Sequence, residues 1–169
     1  MLSAACAMPE KYEIWVTYLA KEWLEKTLCP EWRGFEWGSG QGTVWLAHRI
    51  SSLISLEHDK SWFTQAGEAV RCAGVSNVTR IYEPNLKTYA EVIGKYGLFD
   101  IVLVDGRNRV ECMKNCVGHV ASGGIVVLDN SERARYADGI RLFSRWERKD
   151  FAGPGRGGNR WRTTAWIRP

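Results

Sequence analysis

The sequence has no apolar run long enough to cross a membrane. Its opening residues, Met1-Leu2-Ser3-Ala4-Ala5-Cys6-Ala7, lack the basic start and full apolar core of a secretion signal. A soluble chain kept in the cytoplasm is therefore the expectation. Five cysteines, Cys6, Cys29, Cys72, Cys112 and Cys116, are odd in number and scattered, with no C-x-x-C pair and no histidine at zinc spacing. They read as reduced thiols. Cys112 and Cys116 stand one helical turn apart, either sharing a metal or filling a buried helix face as small apolar residues. Internal repeats and long linkers are also missing. The 169 residues thus read as one domain, 1–169, with a helical segment over 1–30 and a closing hairpin over 144–169. That leaves little chain for a separate substrate domain.

Charge is unevenly spread. The net charge of +4 conceals a stretch from residue 131 onward in which ten Lys and Arg face four acids. A positive end favours an anionic substrate or nucleic acid, and it equally describes a solvated arginine surface.

What is present in strength is Arg33-Gly34-Phe35-Glu36-Trp37-Gly38-Ser39-Gly40-Gln41-Gly42-Thr43-Val44. It reads as a buried strand ending at Glu36, a turn with glycines at alternate positions, and a helix start. Such a turn lets backbone N–H groups and a helix N-terminus approach a ligand. The dinucleotide fingerprint G-x-G-x-x-G puts its third glycine three residues after the second; here it follows after two. The pattern Glu-x-Gly-x-Gly-x-Gly instead resembles the first motif of the class I S-adenosylmethionine-dependent methyltransferases. The resemblance implies an α/β, Rossmann-like, doubly wound fold. Its seven-stranded sheet is mostly parallel, in the order 3-2-1-4-5-7-6, with an antiparallel last strand. It also implies S-adenosyl-L-methionine as cofactor, with Glu36 orienting the methionine amino group, and with Gly38, Ser39, Gly40 and Gln41 admitting its methionine and ribose.

A second acid, Glu57, closes the apolar run from Ser52. A carboxylate at a second strand end can accept both ribose hydroxyl hydrogens, and His58 beside it joins the candidate cofactor contacts. Tyr82 and Glu83, ending a third strand from Asn77, stand near where an adenine would lie, or serve as a half-buried ring and a turn acid. Ile14, Trp15, Tyr18, Leu19, Trp23, Leu24 and Leu28 at helical spacing predict an amphipathic helix from Glu10 to Leu28, its aromatics in the core, stopped by Pro30. Further helices are predicted over Lys60 to Ala73, Leu86 to Tyr96 and Asn108 to His119, and one capped by Asn130 or Ser131 running to about Phe143. Phe99 to Gly106 and Ile125 to Asn130 are near-continuous apolar runs of central strands. Ser144 to Phe151, a loop over 152–159 and Arg160 to Ile167 form a hairpin signal.

Glu36, Glu57, Asp105 and Asp129 all fall at the carboxyl edge of the sheet, where open parallel sheets bind ligands, though such acids also cap helices. Asp105-Gly106 and Asp129-Asn130 add a narrower resemblance, to metal-dependent O-methyltransferases of the catechol and caffeoyl-CoA type. It implies Mg²⁺ held by Asp105, Asp129 and Asn130 and bound to two neighbouring acceptor oxygens. That family's lysine, three residues after the first acid, is Asn108 here. Arg107 or Arg109 would then orient the acceptor, or the bound metal would act with Asp105 as base. Asp105, Arg107 and Asn108 are the candidate catalytic residues. The alternative places Asp105 on the cofactor and Asp129 at a helix cap.

The expected function is methyl transfer to a hydroxyl of a small acceptor. Two alternatives stand beside it: a nucleic-acid or protein methyltransferase using the basic C-terminal region, and a cofactor-binding protein without turnover. Base N-methyltransferases of this fold carry Asn/Asp-Pro-Pro-Tyr/Phe after the fourth strand. Asp105-Gly106-Arg107-Asn108 stands there instead, which argues against a nucleic-acid substrate. With its Asp-Gly-Arg turn and Gly153-Pro154-Gly155 hairpin loop, the chain also resembles short bacterial methyltransferases. A homo-oligomer is compatible with all of these readings.

Overall fold

The structure, a computed structural model, describes residues 11–169; Glu10 and Cys6 lie outside them. Seven strands form one sheet: β1 (Arg33–Trp37), β2 (Ser52–Glu57), β3 (Val78–Tyr82), β4 (Phe99–Val104), β5 (Val120–Leu128), β6 (Glu147–Pro154) and β7 (Arg160–Ile167). Their order is β3-β2-β1-β4-β5-β7-β6. β1 to β5 run parallel, and β7 lies antiparallel between β5 and β6. The helices are α1 (Tyr18–Thr27), α2 (Gln41–Ala47), α3 (Lys60–Ala73), α4 (Leu86–Glu91), α5 (Arg109–Cys116) and α6 (Ala137–Arg141). The sheet order and the reversed seventh strand match the expectation. No helix among the described residues is long and apolar enough to cross a membrane.

The sheet is covered on both faces, which is why its central strands read as unbroken apolar runs. Ile101, Leu103, Ile125 and Val127 pack with Ala20 and Leu24 of α1 and with Trp45 and Leu46 of α2. Val102, Val104, Val126 and Leu128 pack on the other side with Tyr89 and Ala90 of α4 and with Cys112, Met113 and Cys116 of α5. The two α5 cysteines are therefore core residues, their thiol pKa values raised by burial.

Some boundaries differ from expectation for physical reasons. The first helix begins at Tyr18, because the chain before it is drawn into pairing with the hairpin. Thr17 bridges Gly155, its N–H donates to Thr163 Oγ1 at 3.1 Å, and its hydroxyl donates to Phe151 O at 3.1 Å. Trp15, Tyr18 and Leu19 are left exposed, while Leu24 is fully buried. The hairpin strands also run further than expected: Ala152, Gly153 and Pro154 pair with Arg162, Trp161 and Arg160, so the turn is only 155–159. Neither Asn130 nor Ser131 caps a helix. Ser131 Oγ lies 2.6 Å from Thr164 Oγ1 and its N–H donates to Arg162 O at 2.8 Å, so β7 claims it, and α6 starts only at Ala137. The helix read to Tyr96 is α4 followed by a 3-10 turn over Val92–Lys95.

Leu24 anchors α1 on the sheet. Leu24→Ala is expected to cost about 2–5 kcal/mol, read from urea unfolding followed by far-UV circular dichroism.

Candidate active site

In a pleated strand, side chains two apart share a face. Glu36 lies beside Ser55 in the β1–β2 register and beside Leu103 in the β1–β4 register, and Leu103 lies beside Val127. Two residues on from each neighbour come Glu57, Asp105 and Asp129. All four acids are thus carried to the same face of the sheet, at the same end.

Glu36 is fully buried. Its Oε1 accepts from Ser55 Oγ at 2.6 Å and from the Thr43 hydroxyl. Thr43 Oγ1 in turn accepts the Gly40 N–H at 2.9 Å, and Ser39 Oγ lies 2.6 Å from Ser55 Oγ. Since Ser55 gives its proton to Glu36, Ser39 is the donor to Ser55. The hydroxyls therefore fasten the glycine turn to the acid beneath it. Glu36 Oε2 is buried without a partner. Burial pushes the Glu36 pKa up to about 7, opposed by the Ser55 and Thr43 hydroxyls and reinforced by Asp105 and Glu57. Glu57 is held by three amides: Oε2 accepts Ser39 N–H at 3.0 Å, and Oε1 accepts His58 and Asp59 N–H at 2.8 Å each.

The glycines divide the work. Gly38 has φ +102, and a Cβ there would stand 2.9 Å from Gly106 N; a Cβ on Gly106 would meet Tyr89 Oη at 2.1 Å. The turns after β1 and β4 therefore touch backbone to backbone. Gly40 is extended, and a Cβ there would face open space. A Cβ on Gly42 would meet Ile14 only at an ordinary 3.5 Å.

Gly40 fronts a cavity of about 760 Å³. Among the sequence candidates, Glu36, Gly38, Ser39, Gly40, Gln41, Glu57, His58, Asp105, Arg107 and Asn108 line it. Tyr82 and Glu83 do not. The Tyr82 ring is taken up by α3, 5.6 Å from the Phe63 ring with Lys60 Nζ 4.6 Å from its centroid. Glu83 Oε1 accepts Asn85 N–H at 2.9 Å. The lining also holds Trp15, which helical spacing assigns to the core, and Trp62, Arg133 and Arg135, none of them a sequence candidate for the site; Trp62 is signalled by its place in the first turn of the helix after Glu57.

A second cavity, about 550 Å³, shares Trp15, Asp105 and Arg133 with the first and adds Asp129, Asn130, Arg156, Arg160 and Trp161. The buried Arg109 joins two of its three acids, Asp105 and Asp129; the third, Glu132, is exposed. Arg109 donates to Asp105 Oδ1 at 2.8 Å and to the main-chain oxygens of Asp105, Gly106 and Asp129 at 2.7, 2.9 and 2.5 Å. Asp129 Oδ1 accepts from Trp161 Nε1 at 2.7 Å and Thr163 Oγ1 at 2.8 Å. Burial raises the pKa of both acids; Asp129 adds to the rise at Asp105 and Arg109 opposes it. Arg107 and Asn108 are exposed, and Asn108 Nδ2 donates to Leu86 O at 3.0 Å, so its amide serves the chain. At the second cavity, Arg156 donates to Gln41 Oε1 at 2.9 Å and lies 4.8 Å from the Trp15 ring centroid.

No protein-family model matches the sequence, and no curated protein matches it significantly. Solved structures do. The O-methyltransferase from Bacillus cereus in complex with SAH has a TM-score of 0.72 at 17% identity, covering 89% of this chain and 79% of that one. The O-methyltransferase TomG from Streptomyces achromogenes, in complex with SAM, has a TM-score of 0.69 at 19% identity, covering 89% and 78%. An rRNA methylase from Streptococcus thermophilus has a TM-score of 0.64 at 12% identity, covering 89% and 94%. The fold is that of the class I S-adenosylmethionine-dependent methyltransferases. Within that class the resemblance extends both to O-methyltransferases and to an rRNA methylase.

Gly38→Ala is expected to cost about 1–3 kcal/mol of stability through its positive φ and the clash with Gly106. Gly40→Val should leave the melting temperature within about 2 °C, since a cost under 0.5 kcal/mol shifts it no further, while removing S-adenosylmethionine binding in calorimetry. Normal binding by Gly40→Val would show that the turn does not face the cofactor.

Proposed function

We propose that this chain is an S-adenosylmethionine-dependent methyltransferase acting on a hydroxyl of a small acceptor. The observation that carries this reading is the unpartnered Glu36 Oε2, buried among like charges at the floor of the glycine-turn cavity. A dry cluster of carboxylates favours a cationic ligand, and a cavity of about 760 Å³ falls within the usual size of cofactor sites. The methionine ammonium would meet Glu36, the ribose hydroxyls the remaining acceptor capacity of Glu57, and the adenine the Trp62 side of the cavity.

When bound, the cofactor supplies a methyl on a positively charged sulfur; the acceptor oxygen forms the new C–O bond, the C–S electron pair stays on sulfur, and S-adenosylhomocysteine results. The chain's part is to align the acceptor and take its proton. Asp105 lines both cavities, and its raised pKa suits a base working near neutral pH. Asp129, fixed by Trp161 and Thr163, stands beside it.

A resident Mg²⁺ does not fit this donor set, and no step is routed through one. The Arg109 guanidinium already stands on Asp105 as counter-charge, and one Asp129 oxygen is spent on two donors. A screen of hydroxylated acceptors, read as S-adenosylhomocysteine release, should therefore find activity that persists in EDTA. Loss in EDTA with recovery by Mg²⁺ would restore the metal reading.

Glu36 gives a pH prediction. Its carboxyl is protonated more readily in the folded chain than in the unfolded one. Its contribution to stability is present below about pH 4.5 and is lost as the pH rises through about 7, roughly 3 kcal/mol in all. Glu36→Gln should raise the stability of the cofactor-free protein at pH 8 and weaken cofactor binding at least tenfold. In the wild type, cofactor binding near pH 7 should release a proton, measured by calorimetry in buffers of different ionisation heat; Glu36→Gln should release none.

A further inference from the structure

Resting on the methyl-transfer reading, we infer that the second cavity takes a hydroxylated aromatic acceptor that also carries an anionic group, a carboxylate or a phosphate. The cavity has acids at its floor and, beside the exposed Glu132, arginines at its mouth. Asp105 and the buried Asp129 form its floor, locked by Arg109, Trp161 and Thr163. Arg156 and Arg160 are exposed at its mouth. Among the described residues Arg160 has no acidic partner, and Arg156 is engaged only by the neutral Gln41 amide and the Trp15 ring. Arg133 lies 3.8 Å from Glu132, with both side chains exposed, and its charge also acts on Asp105. The exposed Glu132 also lines the cavity, engaged by Arg133 and the Arg162 N–H, which leaves Arg156 and Arg160 as the fit for a planar anion, bound through two parallel N–H donors.

The walls ask for a ring. Trp15 and Trp161 both line the cavity, and the Trp161 indole is fixed through its N–H to Asp129, the acid beside Asp105. An acceptor whose hydroxyl meets the acids and whose anion meets the arginines spans this gradient in one orientation only, presenting its oxygen to Asp105 at the wall shared with the cofactor cavity. A volume of about 550 Å³ holds a molecule of one or two rings.

The test uses the full chain and four probes: a dihydroxylated benzene, the same ring bearing a carboxylate, the same ring bearing a phosphate, and a short single-stranded RNA. Binding is followed first by tryptophan fluorescence quenching with S-adenosylhomocysteine present, which requires no turnover, and then by methylation. At least one charged ring should bind at least tenfold more tightly than the neutral ring, and comparison of the two shows which anion the arginines take. In Arg160→Gln that ratio should fall toward one through KM, and Arg160→Lys should restore part of it. Equal binding of neutral and charged rings, or preferential methylation of RNA, overturns the acceptor class and leaves methyl transfer standing. Failure of S-adenosylmethionine itself to bind in calorimetry overturns the methyl-transfer reading beneath it.

Discussion

Four carboxylates at the ends of four neighbouring parallel strands share one face of the sheet, and their repulsion in a largely dry setting is the constraint around which the rest is arranged. Each is answered differently. Three backbone amides hold Glu57, a guanidinium holds Asp105, and an indole and a hydroxyl hold Asp129. Glu36 receives two hydroxyls on one oxygen and nothing on the other. An acid so placed disfavours its own charged state, and the strain persists only because the surrounding hydroxyls and strands fix it. On the proposed reading a cation above it would remove the imbalance, so the same feature would weaken the empty fold and strengthen the occupied one.

Two contacts keep this arrangement from relaxing. Arg109 binds main-chain oxygens after both β4 and β5, so Asp105 and Asp129 cannot move apart without breaking hydrogen bonds to a buried charge, the costly kind to lose. The Gly38 and Gly106 backbones meet too closely for any side chain, which ties the glycine turn to the Asp105 turn. The acids are held by two stiff turns, and the stiffness comes from what those turns lack.

Much of this was legible in the chain because the signals are local. Asp59 accepts the Trp62 N–H at the start of α3 and Gly74 takes φ +68 at its end, so that helix was bounded correctly from sequence. The period-two alternation also carried all four acids to one edge. What the sequence hid depends on partners far along the chain. Thr17 is claimed by Thr163, 146 residues away, and that bond turns a predicted helical stretch into a strand-like one and brings Trp15 over the cavities. Ser131 reads as a cap until β7 offers its hydroxyl a closer partner. Tyr82 was placed by strand position alone, which says nothing of Phe63 waiting on α3. Propensity and period describe a segment, and these residues are decided by another one.

The shared wall between the two cavities explains why so few residues suffice. Methyl transfer asks for alignment within near contact of donor and acceptor, and little covalent help. Asp105 borders both spaces, Trp15 and Arg133 continue the border, and Arg156 reaches across it to Gln41 at the start of α2. Arg156 of the second cavity is thereby fastened to the helix that follows the glycine turn, and that helix is fastened by Thr43 to Glu36. The buried acid under the first cavity and the exposed Arg156 of the second are thus joined through Thr43, α2 and Gln41 by contacts between named atoms.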